Sequence, residues 1–395
     1  MENKTSKQWL ERMVKNGKIF QKPNVKHISK NAKIIIAISV FLSFLGLIMM
    51  YSAGRYQGET VYGDAFYFVK KQLVGVVLGL VCMCVLACVN AEFLKEIATP
   101  FAVISAVLLI LVFIPYIGVE NYGAKRWIKV VFFTIQPSDI AKFAFIIFSA
   151  KALSKSVDVT FLSRLQVYIL GGVYMLLIFL EPNLSITICF ALLMLSMLVA
   201  GGLEMKHLLF FIALGLCALP VLIWMEPYRL KRLFAFVDPF ASPKGEGFQL
   251  IQSLYALASG GLFGVGLFDS RQSLRFLPFG ESDFIFAIYV EEFGFVGGVV
   301  LVAIYVCYIF AGVKIAISAK SRFQMYLAFG ISMLVAIQTM INIAVVIGAI
   351  PPTGLPLPFV SSGNTQVIMF LGMSGTLVSI AMGENSQKPL ARHKL

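Results

Sequence analysis

From residue 33 onward the chain alternates between long apolar runs and short polar segments. A helix needs about 20 apolar residues to cross the hydrocarbon of a bilayer. Runs of that kind lie near 33–52, 72–90, 98–118, 137–154, 164–181, 183–202, 207–225, 284–313, 323–348 and 362–382. The pattern predicts an all-α, polytopic membrane protein of about ten transmembrane helices. The fifth and sixth runs meet at Glu181-Pro182-Asn183, a tight turn. The longest interruption, 226–283, separates the seventh run from the eighth. A loop of that length usually carries function.

Composition supports this reading. Hydrophobic residues make up 59% of the 395, charged residues 13%, and the mean hydropathy is +0.86. A soluble fold of this size lacks the interior to hide so much apolar surface. Nine Lys and Arg fall in the first 33 residues. No small-residue cleavage site follows the first run, so this segment reads as a basic tail and not as a signal peptide. The net charge of +13 does not point to nucleic acid, because the basic residues sit in short segments between the runs, where they orient the chain in a membrane. With the N-terminus inside, inner segments hold 20 of the 33 Lys and Arg, outer segments hold 12, and Lys142 lies within a span. Both termini are therefore expected in the cytoplasm, with 226–283 outside the cytoplasmic membrane. The expected organisation is a cytoplasmic basic tail over 1–32, a membrane domain over 33–382 and a cytoplasmic tail over 383–395.

This orientation limits the chemistry. His27, His207 and His393 all fall on the cytoplasmic side, which excludes a His-based triad or zinc site on the outer face. No phosphate-binding loop of the G-x-x-x-x-G-K-[ST] type is present, which argues against ATP. Cys82, Cys84, Cys88, Cys189, Cys217 and Cys307 all lie in apolar runs and read as packing residues. Outer-face chemistry must then rest on carboxylates, basic residues and amides, with room for a divalent ion.

The long loop opens on Pro227-Tyr228-Arg229-Leu230-Lys231-Arg232. Its cations either snorkel to headgroups or grip a phosphate through the arginine fork. From Gly247, apolar positions Phe248, Ile251, Leu254, Tyr255 and Ala258 recur at helical spacing, with Gln249 and Gln252 on other faces. They predict a short amphipathic helix at the membrane surface, or a hairpin packed on the bundle. The loop ends at Leu277-Pro278-Phe279-Gly280-Glu281-Ser282-Asp283, at the mouth of the eighth run. Asp283 reads equally as a helix N-cap or as a general base beside a water-poor cavity. Glu291 and Glu292, deeper in the same run, are expected to face the interior and pair with a cation. Asp139 and Lys142, one turn apart, are placed to pair. Pro351 to Phe359 is irregular and apolar, so its backbone must be buried in protein or line a cavity. Gly297, Gly298 and Gly312 would permit close approach of a partner helix to the eighth and ninth runs.

These motifs resemble the SEDS family (shape, elongation, division and sporulation), typified by FtsW, RodA and SpoVE. The likeness is densest over Pro227–Gly298, with Pro-Tyr-Arg…Arg, Asp-Pro, Gly-Phe-Gln…Gln-Ser, Ser-Gly-Gly…Gly-x-Gly and Asp-Phe-Ile-Phe-Ala-Ile…Glu-Glu-Phe-Gly in order. Gly-Ala-Lys-Arg-Trp-Ile, Gln-Pro-Ser-Asp…Ala-Lys, Glu-Pro-Asn and Thr-Gly-Leu-Pro-Leu-Pro-Phe add to it. The chain departs from the pattern at Phe279, Glu281 and Ser282, at Asn183, and at Ser362 and Asn364.

The resemblance implies a peptidoglycan glycosyltransferase that polymerises lipid II outside the cell membrane, releases undecaprenyl pyrophosphate and works with a class B penicillin-binding protein. The family's essential acid falls on Asp283. Arg229, Arg232, Lys125, Arg126, Gln249 and Gln252 are the candidates to hold the lipid-linked substrate, with Asp139, Lys142, Glu291 and Glu292 as supporting polar groups. A divalent cation, Mg2+ or Mn2+, could offset charge on the pyrophosphate, although no metal motif is evident. A lipid flippase and a non-catalytic scaffold for a synthase are the rival readings.

Overall fold

A computed structural model describes residues 19–20, 28–121, 124–130, 133–155, 159–224, 227–274, 277–278 and 280–384 of the chain. Phe279 and most of both tails lie outside the described residues. The helices, in chain order, are α1 (Lys30–Gln57), α2 (Tyr67–Cys88), α3 (Ala91–Leu111), α4 (Pro137–Leu153), α5 (Phe161–Leu180), α6 (Leu184–Ala200) and α7 (Met205–Trp224). Then come α8 (Pro227–Val237), α9 (Phe248–Gly260), α10 (Ile285–Ile317), α11 (Arg322–Val346) and α12 (Asn364–Glu384). Seven of them are long and apolar enough to cross a membrane, and α6 and Met205–Ala218 within α7 are shorter apolar helices. With α4, they occupy the ten positions expected, so the protein is an all-α, polytopic membrane protein.

Local chemistry explains where the helices differ from the apolar runs. The third run was expected from residue 98, but α3 begins at Ala91, where the Asn90 side chain accepts from the amide of Glu92. Glu92, Lys95 and Glu96 hid these two turns from a reading based on hydropathy. The same helix stops at Leu111 because a small antiparallel sheet follows: β1 (Gly118–Asn121), β2 (Ala124–Val130) and β3 (Phe133–Ile135), in the order β1-β2-β3. The sheet satisfies backbone groups at the bundle's edge, where helices no longer can.

The long loop is mostly helical. Its amphipathic segment is α9, and it packs on the bundle: Leu250, Ile251, Ser253, Ala256 and Gly260 are buried, and Ser253 Oγ donates to the Val346 carbonyl at 2.8 Å. Helix α10 is broken at Gly294, whose φ of 72° only glycine holds without strain. The chain after α9 repairs the break. Val265 N donates to Glu291 O at 2.9 Å, Gly266 N to Glu292 O at 3.2 Å, and Phe295 N to Gly261 O at 2.9 Å. A Cβ on Gly294 would lie 2.4 Å from the Leu262 carbonyl oxygen, so no side chain fits there.

The glycines expected to admit a partner helix are partly committed inside the bundle. A Cβ on Gly312 would lie 2.1 Å from Ser332 Oγ of α11, and one on Gly298 would lie 3.0 Å from Val290. Gly312 therefore serves the contact of α10 with α11. The face of α10 that carries Phe295, Val296, Val299, Val300 and Phe310 is exposed.

Candidate active site

Asp283 lies two residues before α10, yet it does not cap it. The N-cap position is Phe284 and no side chain bonds the helix amides there, so the capping interpretation falls. The Asp283 carboxylate accepts from Ser282 Oγ at 3.0 Å. It also faces Gly354 of the proline-rich segment, where an added Cβ would stand 3.3 Å from Oδ2. Gly354 has a φ of 71°, a conformation that favours glycine.

The backbone around Asp283 is held from several directions. Asn342 of α11 donates through Nδ2 to the carbonyls of Asp283 at 2.8 Å and Leu355 at 2.7 Å. Ser361 Oγ donates to Ser282 O at 2.6 Å, and Ser362 N donates to Glu281 O at 3.0 Å. The proline-rich segment satisfies its carbonyls with side chains, as irregular backbone in a membrane must. Pro352 O accepts from Arg232, Thr353 O from Ser185, Pro356 O from Gln338 and Gln366, and Pro358 O from Tyr305. Donors from α6, α8, α10, α11 and α12 thus converge on one stretch of chain.

Beneath it lies the pair expected in α4. Lys142 Nζ stands 2.8 Å from Asp139 Oδ1, with 3% and 6% of the side chains exposed. Lys142 also donates to Gln338 Oε1 at 3.1 Å, and Gln338 passes the support to Pro356 O at 2.8 Å. The i,i+3 spacing brought the charges together. The link onward to the site depends on the packing of α11.

Burial perturbs Asp283. Burial pushes its carboxyl up from 3.8 to about 6, while the Ser282 hydroxyl, Arg232 and Arg126 oppose the rise and Glu281 adds to it. Glu281 is raised by burial as well. An acid near 6 is ionised at neutral pH and still basic enough to take a proton, which suits a general base.

The other candidates divide. Arg126 is brought near Asp283 from β2 and Arg232 from α8. Lys125 is exposed on β2. The backbone of Arg229 lies in α8, and its side chain lies outside the described residues. Gln249 Nε2 donates to the Pro278 carbonyl at 3.0 Å, which holds the loop below the site, while Gln252 is half-buried on α9. Glu291 and Glu292 were expected to pair with a cation, and they do not among the described residues. Glu291 accepts from Ser259 Oγ, Ser270 Oγ and the amides of Arg271 and Gln272, and Glu292 accepts from Ser52. Hydroxyls and amides compensate the burial of these carboxylates, and they staple the outer loop to α10 and α1. An open cleft of about 280 Å³ beside this staple is lined by Ser52, Arg55, Tyr56, Glu59, Phe268, Ser273 and Leu274, none of them a candidate.

Sequence reading passed over Asn342 and Gln338. Two amides four residues apart within an apolar span were the available signal, since intramembrane polar groups face the interior.

The chain matches the FTSW_RODA_SPOVE family, described as "Cell cycle protein", over residues 32–386. Stage V sporulation protein E of Bacillus subtilis is 38% identical over 351 residues, covering 88% of this chain and 96% of that protein. The probable peptidoglycan glycosyltransferase FtsW of Geobacter sulfurreducens is 36% identical over 364 residues, covering 91% of this chain and 97% of that one. A chain from a solved structure described as "Structural coordination of polymerization and crosslinking by a peptidoglycan synthase complex" matches with a TM-score of 0.73 at 25% identity, covering 89% of this chain and 98% of that chain.

Proposed function

This chain belongs to the FtsW, RodA and SpoVE family and is a peptidoglycan glycosyltransferase of division, elongation or sporulation; on that premise we propose that it polymerises lipid II on the outer face of the cytoplasmic membrane, with Asp283 as the general base. The observation that carries this reading is the environment of Asp283: a carboxylate near 6, relieved of capping duty and faced by Arg126 and Arg232.

In the reaction the sugar hydroxyl at the acceptor's 4-position attacks the anomeric carbon of the donor. Its proton passes to Asp283, the bond from that carbon to the pyrophosphate oxygen breaks, and undecaprenyl pyrophosphate leaves. A single displacement inverts the anomeric centre. Arg126 and Arg232, with Lys125 and Arg229 nearby in sequence, offset the charge that builds on the pyrophosphate. No three His, Cys, Asp or Glu side chains come together among the described residues; a Mg2+ or Mn2+ ion would instead be carried by the pyrophosphate with one carboxylate, and would add to the charge the arginines supply. Formation of glycan chains from purified lipid II by the purified protein tests the assignment. Transport of lipid II across a bilayer with no polymer formed, even with the partner synthase present, would replace it with the flippase reading.

Arg232→Ala is expected to raise the KM for lipid II by roughly 10- to 100-fold, the loss of one charge-assisted contact, and Lys at that position restores it only in part. An unchanged KM would return Arg232 to a headgroup anchor.

We propose as its partner a class B penicillin-binding protein that cross-links the new glycan, a pairing in keeping with the polymerization and crosslinking named for the synthase complex above. The charge distribution supports cytoplasmic termini. A reporter inserted within 241–247 should accordingly be external and one within 318–321 cytoplasmic. A cytoplasmic signal from 241–247 would place Asp283 on the wrong face.

A further inference from the structure

The turn between α5 and α6 holds an acid that the mechanism above does not use. Glu181 ends α5 at 0% exposure. Neither of its carboxyl oxygens has a hydrogen-bond partner among the described residues. Burying a carboxyl group in that state costs free energy. Arg126 is the charged group that faces it, and the same guanidinium is anchored to the turn: Nε donates to the backbone carbonyl of Glu181 at 3.3 Å, and Nη2 donates to that of Pro182. Arg126 also faces Asp283. A little further along the turn, Ser185 Oγ donates to Thr353 O at 3.3 Å, tying this corner to the segment over the base. One arginine therefore stands between two carboxyl groups, one of them the base and the other without a bonding partner.

We propose that Glu181 is a positioning residue that sets how much of the Arg126 charge reaches the lipid pyrophosphate. When Glu181 is protonated, the guanidinium presents its charge to the cleft. When Glu181 is ionised, it pairs with Arg126 across the turn and draws that charge away from the donor. This role rests on the reading of the Asp283 cleft as the pyrophosphate site.

The switch lies just above neutral pH. Burial pushes the Glu181 carboxyl up from 4.5 to about 8, against the pull of Arg126. The group is thus neutral at pH 7 and ionises as pH rises through 8. No other charged or titratable group among the described residues acts on it appreciably.

The test measures lipid II polymerisation by the full chain with its penicillin-binding partner, as KM and kcat from about pH 6.5 to about pH 9.5. In the wild type, the KM for lipid II should rise above pH ~8, approaching tenfold per pH unit, while kcat stays level over the same range. Glu181→Gln has the shape of the protonated acid and cannot ionise, so its KM should stay flat. Should that variant fail to fold, Arg126→Gln should show a raised KM at pH 7 with no further alkaline rise. A flat wild-type KM, or the same rise in Glu181→Gln or Arg126→Gln, overturns the proposal. Asp283→Asn measured alongside separates the two readings. If it loses kcat while the wild-type KM is flat, only the Glu181 role falls. If it keeps kcat while Glu181→Gln abolishes the alkaline rise, only the base falls.

Discussion

Asp283→Asn is expected to lower glycan polymerisation by about 10²- to 10⁴-fold, the range for loss of a general base, while the protein still folds, inserts and binds its partner. The substitution keeps the size of the side chain and an oxygen that can accept from Ser282 Oγ. It disturbs no helix cap, because α10 takes none from Asp283. The backbone carbonyl of Asp283, which Asn342 holds at 2.8 Å, is untouched. What is lost is the capacity to accept the hydroxyl proton. The wild-type rate should also fall as pH drops through about 6, where the carboxylate takes up its proton, and not near the ordinary 3.8. Stability moves the other way. A carboxyl held above its unfolded value contributes stability that is fully present below 3.8 and lost as pH rises through about 6. Asn carries no charge at any of these pH values, so at pH 7 the variant should be at least as stable as the wild type. Wild-type polymerisation by Asp283→Asn, with expression and partner binding intact, would remove the enzymatic role assigned to it.

The second large effect is on folding. Lys142→Ala strips Asp139 of its partner at a site where only 2% of Lys142 and 4% of Asp139 is exposed. Removing one member of a buried pair costs about 3–5 kcal/mol, because the other charge remains without compensation. Gln338 also loses its donor at 3.1 Å, and with it part of the hold on Pro356 O beside the base. Lower thermal stability of the detergent-solubilised protein and lower activity should therefore appear together. Asp139→Asn combined with Lys142→Met removes both charges and should recover much of the loss, since buried pairs replaced by neutral groups of similar volume are often nearly neutral. A double variant as unstable as the sum of its two single changes would show that the charges are not coupled.

The expected results differ in kind because the two acids sit in different surroundings. Asp139 has a cation at 2.8 Å and is spent on structure. Asp283 has a hydroxyl donor at 3.0 Å and the field of two arginines, Arg232 and Arg126. An acid left partly uncompensated at the edge of a membrane is available for chemistry.

The pattern along the chain was enough to determine the class of protein and the order of its parts. Span length and charge distribution are local quantities, and a bilayer reads them directly. The positions of the ten helices, the long loop after the seventh and Asp283 before the eighth were all legible for that reason. So was the Asp139–Lys142 pair, since one helical turn fixes its geometry. The sheet over 118–135 was not, because short strands beside apolar runs have no distinctive period of their own. Whether Asp283 caps depended on where α10 begins, and the backbone there is held by Asn342, Ser361 and Ser362, residues from 59 to 79 positions away for the bonds of Asn342 and Ser361. Glu291 and Glu292 found hydroxyls and amides in place of a cation because the outer loop folds back across the break at Gly294. The isolation of Glu181 beside Arg126 has the same origin: two segments distant in sequence are pressed together in a low-dielectric interior, and only their packing decides which polar atoms find partners.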